Sequence, residues 1–420
     1  MRNTHLTPGV IVGCALLLSV KCASAQDWPQ WRGPNRDNKV TGFTEPKTWP
    51  KELTQKWKAK VGLGDASPVL VGDKVYVFTR DGNDEIIQCL DADKGTELWK
   101  DKYEADPAKV PMGGHMGPRS SPAVAAGKVC TLGVGGVLSC LDAEKGKVVW
   151  WKDSKARPMF YTASSPIIVD GKCIAYLGSR GKGDLVAYDL ASGDEKWKWS
   201  GDGPAYGSPV LVTIDKTPQI VTLSEKGLIG VGAADGKLLW QAEYSAQYNS
   251  GTPVVNGDTV ICSGPPDMRG RGKGGTVAFK IEKKDDAFKA TETWKQDKSP
   301  AGIYNTPVLK DGMLFGLTGG NRAPAYFFCI DAKTGEVLWT DDKTKRGECG
   351  EILDAGSVLL GLTSDCELVV FKPSKKEYEE VAKYKVADKG GNDGPWAVPI
   401  IASNRVFVKD KDSLTLWTIE

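Results

Sequence analysis

Cys89-Leu90-Asp91-Ala92-Asp93-Lys94-Gly95-Thr96-Glu97-Leu98-Trp99 constrains this chain more than any other stretch, because it recurs. It reads as a strand end, a tight Asp-x-x-x-Gly turn, and a second strand closing on tryptophan. The phrase returns at Cys140-Leu141-Asp142 to Trp150, at Ala187-Tyr188-Asp189 to Trp197, and at Cys329-Ile330-Asp331 to Trp339. A shorter form runs from Gly232-Ala233-Ala234-Asp235-Gly236 to Trp240. A unit of this size cannot bury its own apolar face, so copies must stack on one another. The chain is a repeat array.

The 49 glycines, 24 prolines and 14 tryptophans suit many short strands joined by tight turns. No 3.6-residue apolar period persists in the body of the chain, so the fold class is all-β. Residues 1–25 differ: Arg2, an apolar run from Val10 to Val20, and Ala23-Ser24-Ala25 read as a secretory signal peptide. The run is too short to span a bilayer. Cys22 follows Lys21, which does not suit a lipid anchor, so a soluble periplasmic or extracellular chain starting near Gln26 is expected. Without Arg2 and Lys21, 53 basic residues face 53 acidic ones, which argues against a nucleic-acid partner and against stable membrane insertion. Eight cysteines remain and no Cys-x-x-Cys occurs, so there is no metal spacing. Cys89, Cys140 and Cys329 share a repeat position with Ala187, which marks them as small core residues. Cys349 and Cys366, within one repeat, are the expected bridge if any forms.

In chain order, residues 26–52 form a Trp/Pro-rich arm, opening Asp27-Trp28-Pro29-Gln30-Trp31-Arg32-Gly33-Pro34, with no strand alternation. Leu53 to Val61, with Trp57, is a lone outer strand. Ser67-Pro68 then begins a series continued at Ser121-Pro122, Ser165-Pro166, Ser208-Pro209, Thr252-Pro253 and Thr306-Pro307. Proline suits the first residue of a strand, where no ladder donor is needed. Spacings of 54, 44, 43, 44 and 54 residues match four-stranded propeller blades, strands A to D. The seventh unit is degenerate, with Glu351-Ile352-Leu353 for the Ser-Pro opening and Tyr384 for the tryptophan. The eighth opens at Val398-Pro399 and stops one strand short, which Leu53–Val61 supplies. Residues 53–420 are therefore expected to form one eight-bladed β-propeller, closed by its two ends so that no sheet edge is exposed. Each strand-D tryptophan is expected to wedge between neighbouring blades.

The Ala/Cys-x-Asp-x-x-x-Gly-x-x-x-Trp phrase with its Ser-Pro openings resembles the PQQ-like β-propeller repeat family, from Leu53 to Glu420. The resemblance implies one of two branches. One holds the pyrroloquinoline quinone (PQQ)-dependent dehydrogenases; the other holds exported non-enzymatic propellers, including the lipoprotein of the outer-membrane β-barrel assembly machinery. The Trp28–Pro34 arm is similar to the start of exported members of unassigned role. Fold does not choose between branches. The dehydrogenases clamp the quinone between a tryptophan and a disulfide of adjacent cysteines, with Ca²⁺ on Glu and Asn oxygens and an Asp base. Here no two cysteines are adjacent, although Glu348, Asn305, Asp393 and Trp396 are of the right types. No Cys-x-x-Cys-His is present for a c-type haem.

Strand direction gathers the D-to-A and B-to-C loops of all blades on one rim. The D-to-A loops carry Asp65, Arg119, Tyr161, Tyr206, Tyr248, Asn249, Tyr304, Asn305, Glu348, Asp393 and Trp396. The B-to-C loops add Arg80, Arg180, Lys182, Arg269, Arg271, Lys273 and Arg322. A concave mouth of aromatic and amide groups is where a propeller binds a ligand or peptide. Met112-Gly113-Gly114-His115-Met116 carries the single histidine outside the leader and reads as a Gly-rich loop, not a soft-metal site. Arg269 to Gly275 precedes no helix, so it reads as a basic hairpin tip and not a phosphate loop. The expected function is recognition of a protein or extended peptide at the rim by a monomer without a cofactor. The alternatives are a PQQ- and Ca²⁺-dependent oxidoreductase and a secreted carbohydrate-binding module.

Overall fold

A computed structural model describes residues 27–105, 115–266, 273–320, 324–390 and 393–420. The expected signal peptide, Met112 to Gly114, Arg269 to Gly272 and Arg322 lie outside these residues. Among the described residues, 32 strands form eight four-stranded antiparallel sheets arranged as the blades of a ring. Blade 1 comprises Val69–Val71, Lys74–Asp81, Asp84–Asp91 and Glu97–Glu104, in that order outward. Its second strand is buried on both faces because a blade stands on either side, whereas the outer strand alternates between half-buried and exposed. Blade 8 joins Ile400–Ala402, Arg405–Lys409 and Ser413–Thr418 to Thr54–Lys60 from the other end of the chain. Thr54 pairs with Thr418 and Lys60 with Ser413, so the two ends close the ring.

The recurring phrase explains itself in three dimensions. Asp91 Oδ1 accepts the backbone N–H groups of Asp93 (3.0 Å) and Lys94 (2.9 Å), and Gly95 (φ 70°) completes the turn. The Trp57 ring lies on Gly95 so closely that a Cβ there would come within 2.6 Å of it. Its indole N–H donates to the carbonyl of Ala92 at 3.1 Å. Tryptophan and glycine thus meet across blades, each tryptophan covering the next unit's turn. Trp99 covers Gly146 and bonds Ala143, Trp150 covers Gly193 and bonds Leu190, and Trp197 covers Gly236 and bonds Ala233. Trp294 does the same with Gly335 and Ala332. Two tryptophans are exceptions: Trp339 donates to Ser374 O of blade 7 at 2.8 Å, and Trp240 meets no such turn because blade 5 replaces it with the hairpin of Gly275–Lys284 and Ala287–Gln296. The Trp240 N–H turns instead to Gln219 Oε1 at 2.6 Å.

The Ser-Pro openings form a second interblade device that strand propensity alone does not reveal. Ser67 Oγ accepts the N–H of Val398, Ser121 that of Ser67, Ser165 that of Ser121, and Ser208 that of Ser165. Thr306 accepts that of Thr252. A belt of hydroxyls links innermost strands, and the proline beside each hydroxyl has no N–H of its own to satisfy.

The N-terminal arm fills the axis of the ring. Trp28, fully buried, exchanges both backbone hydrogen bonds with Leu70 of blade 1, and Pro29 accepts from Val124 of blade 2. Arg36 donates to the carbonyls of Ser165 and Pro166 at blade 3 and Pro209 at blade 4. Trp31 reaches Thr252 at blade 5, and Arg32 donates to Thr306 and Pro307 at blade 6. Asn38 and Val40 reach Ile352 and Asp354 of blade 7. The degenerate seventh opening now has a reason: Glu351 stands where others carry the hydroxyl, and it pairs with Arg32 at 3.4 Å.

All eight described cysteines are buried and unbridged. The expected Cys349–Cys366 bridge is not formed. The register that pairs Gly350 with Thr363 sets Cys349 opposite Ser364, whose N–H donates to the Cys349 carbonyl, and leaves Cys366 beyond reach in the following turn.

Candidate functional site at the mouth

The D-to-A loops of seven blades converge above the arm around a cavity of about 330 Å³. Trp31 contributes from the arm, and Tyr206, Tyr248, Tyr304, Trp396 and Phe160 contribute rings from the rim. Tyr206 and Tyr248 meet edge-on at 6.1 Å, as do Phe160 and Tyr248 at 5.1 Å. Tyr304 tilts against Trp396 at 5.6 Å. Phe160 (47%) and Tyr304 (45%) are large apolar surfaces left open to solvent. A groove of about 870 Å³ lies between the outer strands of blades 4 and 5, but it is an open polar cleft along Gln241, Glu243 and Lys295. Of these two cavities, the mouth is the one walled chiefly by aromatic rings.

Of the eleven rim residues singled out from the sequence, Asp65, Arg119, Tyr206, Tyr248, Tyr304 and Trp396 line this cavity. Five others do not. Tyr161 (φ 70°) stacks under Arg157 at 4.5 Å. Asn249, expected at the mouth, is buried instead: its Oδ1 accepts from Ala246 N and its Nδ2 donates to Ser224 O, pinning the loop from within. Asn305 is likewise buried, packed on Gly302. Glu348 bonds through its backbone to Ser364 Oγ, and Asp393 is held by Lys411. On the B-to-C loops, Arg80 is buried and donates to Gly82 O, while Arg180, Lys182 and Lys273 are exposed.

Sequence reasoning set aside the histidine and missed Trp31 and Phe160. His115 Nδ1 lies 2.9 Å from Asp65 Oδ2, and its ring packs on Trp396 at 4.4 Å. The Asp65 hydrogen bond raises the His115 pKa against the opposing effect of burial. Arg119 donates to the carbonyls of Phe160 (2.6 Å) and His115 (3.3 Å), so the cation ties two rim loops together. Behind the Asp65 loop, buried Lys409 donates to Gly64 O at 2.8 Å and Asp410 O at 2.9 Å, and burial lowers its pKa to about 8. The cavity can hold a ring or an apolar side chain against aromatic walls, with one carboxylate–imidazole pair to orient a polar group.

The four residues of quinone-site type do not assemble. Trp396 lines the mouth, Asn305 is packed away on Gly302, and Asp393 is neutralised by Lys411. No cluster of three His, Cys, Asp or Glu side chains suited to a metal occurs among the described residues. Trp31 and the arm also occupy the axial space beneath the mouth.

Fold, repeat and plugged mouth together define an eight-bladed propeller of the PQQ-like class. The chain belongs to the family described as outer membrane protein assembly factor BamB, whose profile matches residues 83–341. It is similar to outer membrane protein assembly factor BamB of Burkholderia pseudomallei, at 23% identity over 87% of this chain and 97% of the relative. It is also similar to quinohemoprotein alcohol dehydrogenase ADH-IIG of Pseudomonas putida, at 24% identity over 68% of this chain but 41% of that enzyme. The chain thus spans under half of the enzyme's length. Among solved structures, BamB of Moraxella catarrhalis superposes with a TM-score of 0.61 at 15% identity, covering 88% of this chain and 98% of that one. Quinohemoprotein alcohol dehydrogenase of Comamonas testosteroni gives 0.64 at 14%, covering 94% and 80%. These likenesses show the fold.

Proposed function

We propose that this chain is an exported propeller that acts as a binding scaffold, taking a protein or extended peptide at its mouth. The observation that carries the reading is the aromatic cavity, ringed by exposed Phe160, Tyr248 and Tyr304 and closed by the chain's own Trp31. Exposed rings around a concave centre are the anchors that dominate binding energy at interfaces. The relatives named as outer-membrane assembly factors support the same role, and the leader pattern in residues 1–25 supports export. No helix among the described residues is long and apolar enough to cross a membrane.

A photo-crosslinking residue at Tyr304 tests this in the producing cell. The expected result is one discrete adduct with an envelope protein, abolished by Trp396→Ala and absent when the probe sits on the opposite rim at Ser192. Equal adducts from both rims would discard the mouth as the docking site. The relatives named as quinohemoprotein dehydrogenases keep an oxidoreductase as the second reading. Calorimetric titration with PQQ and Ca²⁺ separates the two: no saturable heat is expected, and one-to-one binding would favour the enzyme. A carbohydrate role, resting on the same rings, predicts saturable quenching of tryptophan fluorescence by soluble oligosaccharides.

A further inference from the structure

Blade 2 carries Ala123–Ala125, Lys128–Leu132, Val137–Asp142 and Val148–Asp153. Its second and third strands pair Cys130 directly with Cys140. The equivalent pairs are Tyr76 with Cys89 in blade 1, Ile174 with Ala187 in blade 3, Ile261 with Ala278 in blade 5 and Phe315 with Cys329 in blade 6. Among these, blade 2 alone sets cysteine on both strands.

The ladder fixes what kind of pair this is. Ala143 N–H donates to Gly127 O at one end of the hairpin, and Gly133 N–H donates to Val137 O at the other. Bonded pairs alternate with unbonded ones along an antiparallel ladder. Counting inward from either end puts Cys130 and Cys140 in an unbonded pair. Such partners stand about 4.5 Å apart at Cα with their side chains on one face, inside the roughly 4.4–6.8 Å window that a disulfide spans. Both thiols face blade 3, in a wholly buried cluster with Trp150, Leu190 and a third thiol, Cys173. Cys173, from the neighbouring sheet, also comes within side-chain hydrogen-bond reach of Cys130, so closeness in sequence and not contact in the fold separates the two candidate partners.

We propose that Cys130 and Cys140 are the oxidisable pair of this chain and form a cross-strand disulfide within blade 2. Two thiols and one disulfide oxidant of the glutathione type give the Cys130–Cys140 bond and two reduced oxidant thiols, so hydrogens and electrons balance. Both thiols are 0% exposed, so the bond forms while the hairpin is still open. The partners are ten positions apart in sequence, and a short hairpin closes before the next blade docks. The pair therefore closes before Cys173 arrives. The inference is independent of what the mouth binds.

The test is oxidative refolding of the full chain in reduced and oxidised glutathione, followed by alkylation and peptide mapping. The expected product is a cross-linked pair of peptides holding Cys130 and Cys140, lighter by two hydrogens, with the remaining cysteines alkylated. Its Tm is expected to exceed that of the same sample after reduction. Cys173→Ser is expected to retain the link, and Cys140→Ser to leave Cys130 alkylated. Refolded wild-type chain with every thiol alkylated, or with Cys130 joined to Cys173, would overturn the proposal.

Discussion

Trp197 shows how much one side chain carries here. It is 6% exposed, lies on Gly236 of the next blade and donates to Ala233 O at 3.1 Å. Trp197→Ala is expected to cost about 3–5 kcal/mol in chemical denaturation, the range for large buried aromatics. Trp151, 60% exposed, is the control, and its alanine variant is expected to lie within about 0.5 kcal/mol of wild type. His115 offers a test in pH. Asp65 raises its pKa, so its contribution to stability is complete below about pH 6.5, the unfolded value, and is lost as pH rises through the higher folded value. Asp65→Asn is expected to move the imidazole titration, followed by NMR, back toward the ordinary range, and to lower Tm more at pH 6 than at pH 9. At this scale the sequence was legible where a residue type recurs and ambiguous where it does not. The tryptophans announce themselves by position. Asn249 does not, because an Asn at φ 45° that bonds Ala246 and Ser224 has the same letter as one facing solvent.

At the scale of elements, the closing strand and the arm do different work. Thr54–Lys60 completes blade 8, so deletion of residues 53–61 exposes the edge of Ser413–Thr418 and is expected to lower Tm sharply. An unchanged melting temperature would mean that blade 8 holds without it. The arm is held by buried charge. Arg32→Ala strips Glu351 and the Thr306 and Pro307 carbonyls of their donor and is expected to cost about 3–5 kcal/mol. Burial pushes Glu351 up to about 8. A carboxyl raised in the fold favours it fully below about pH 4.5 and progressively less as pH climbs to about 8. Glu351→Gln is expected to flatten Tm between pH 5 and 8, measured against wild type. Blades were readable because period-2 patterns and Gly turns are local. The arm was not, because its order comes from Arg32, Arg36 and Asn38 meeting carbonyls hundreds of residues away, and no local pattern encodes that. The replaced Ser-Pro opening at Glu351 is the one trace of it in the sequence.

For the whole molecule, ring closure follows from counting strands, and the mouth follows from strand direction. That reasoning names the loops that meet but not which side chains turn inward. Asn305 and Asp393 sit on such loops and still face Gly302 and Lys411. Trp31 could not be assigned to the mouth until the arm had an address. That address also orders events during synthesis. The arm leaves the ribosome first, yet Arg32 waits for Glu351, Asn38 for Ile352, and Thr54 for Thr418. Contacts this distant in sequence slow folding, because the chain must close on itself before they stabilise it. Translation can therefore lay down blade after blade while the axis remains unfilled. Blade 8 seals a ring that the arm has to lock, so a chain cut before Ser413–Thr418 should lose the whole fold and not merely one blade.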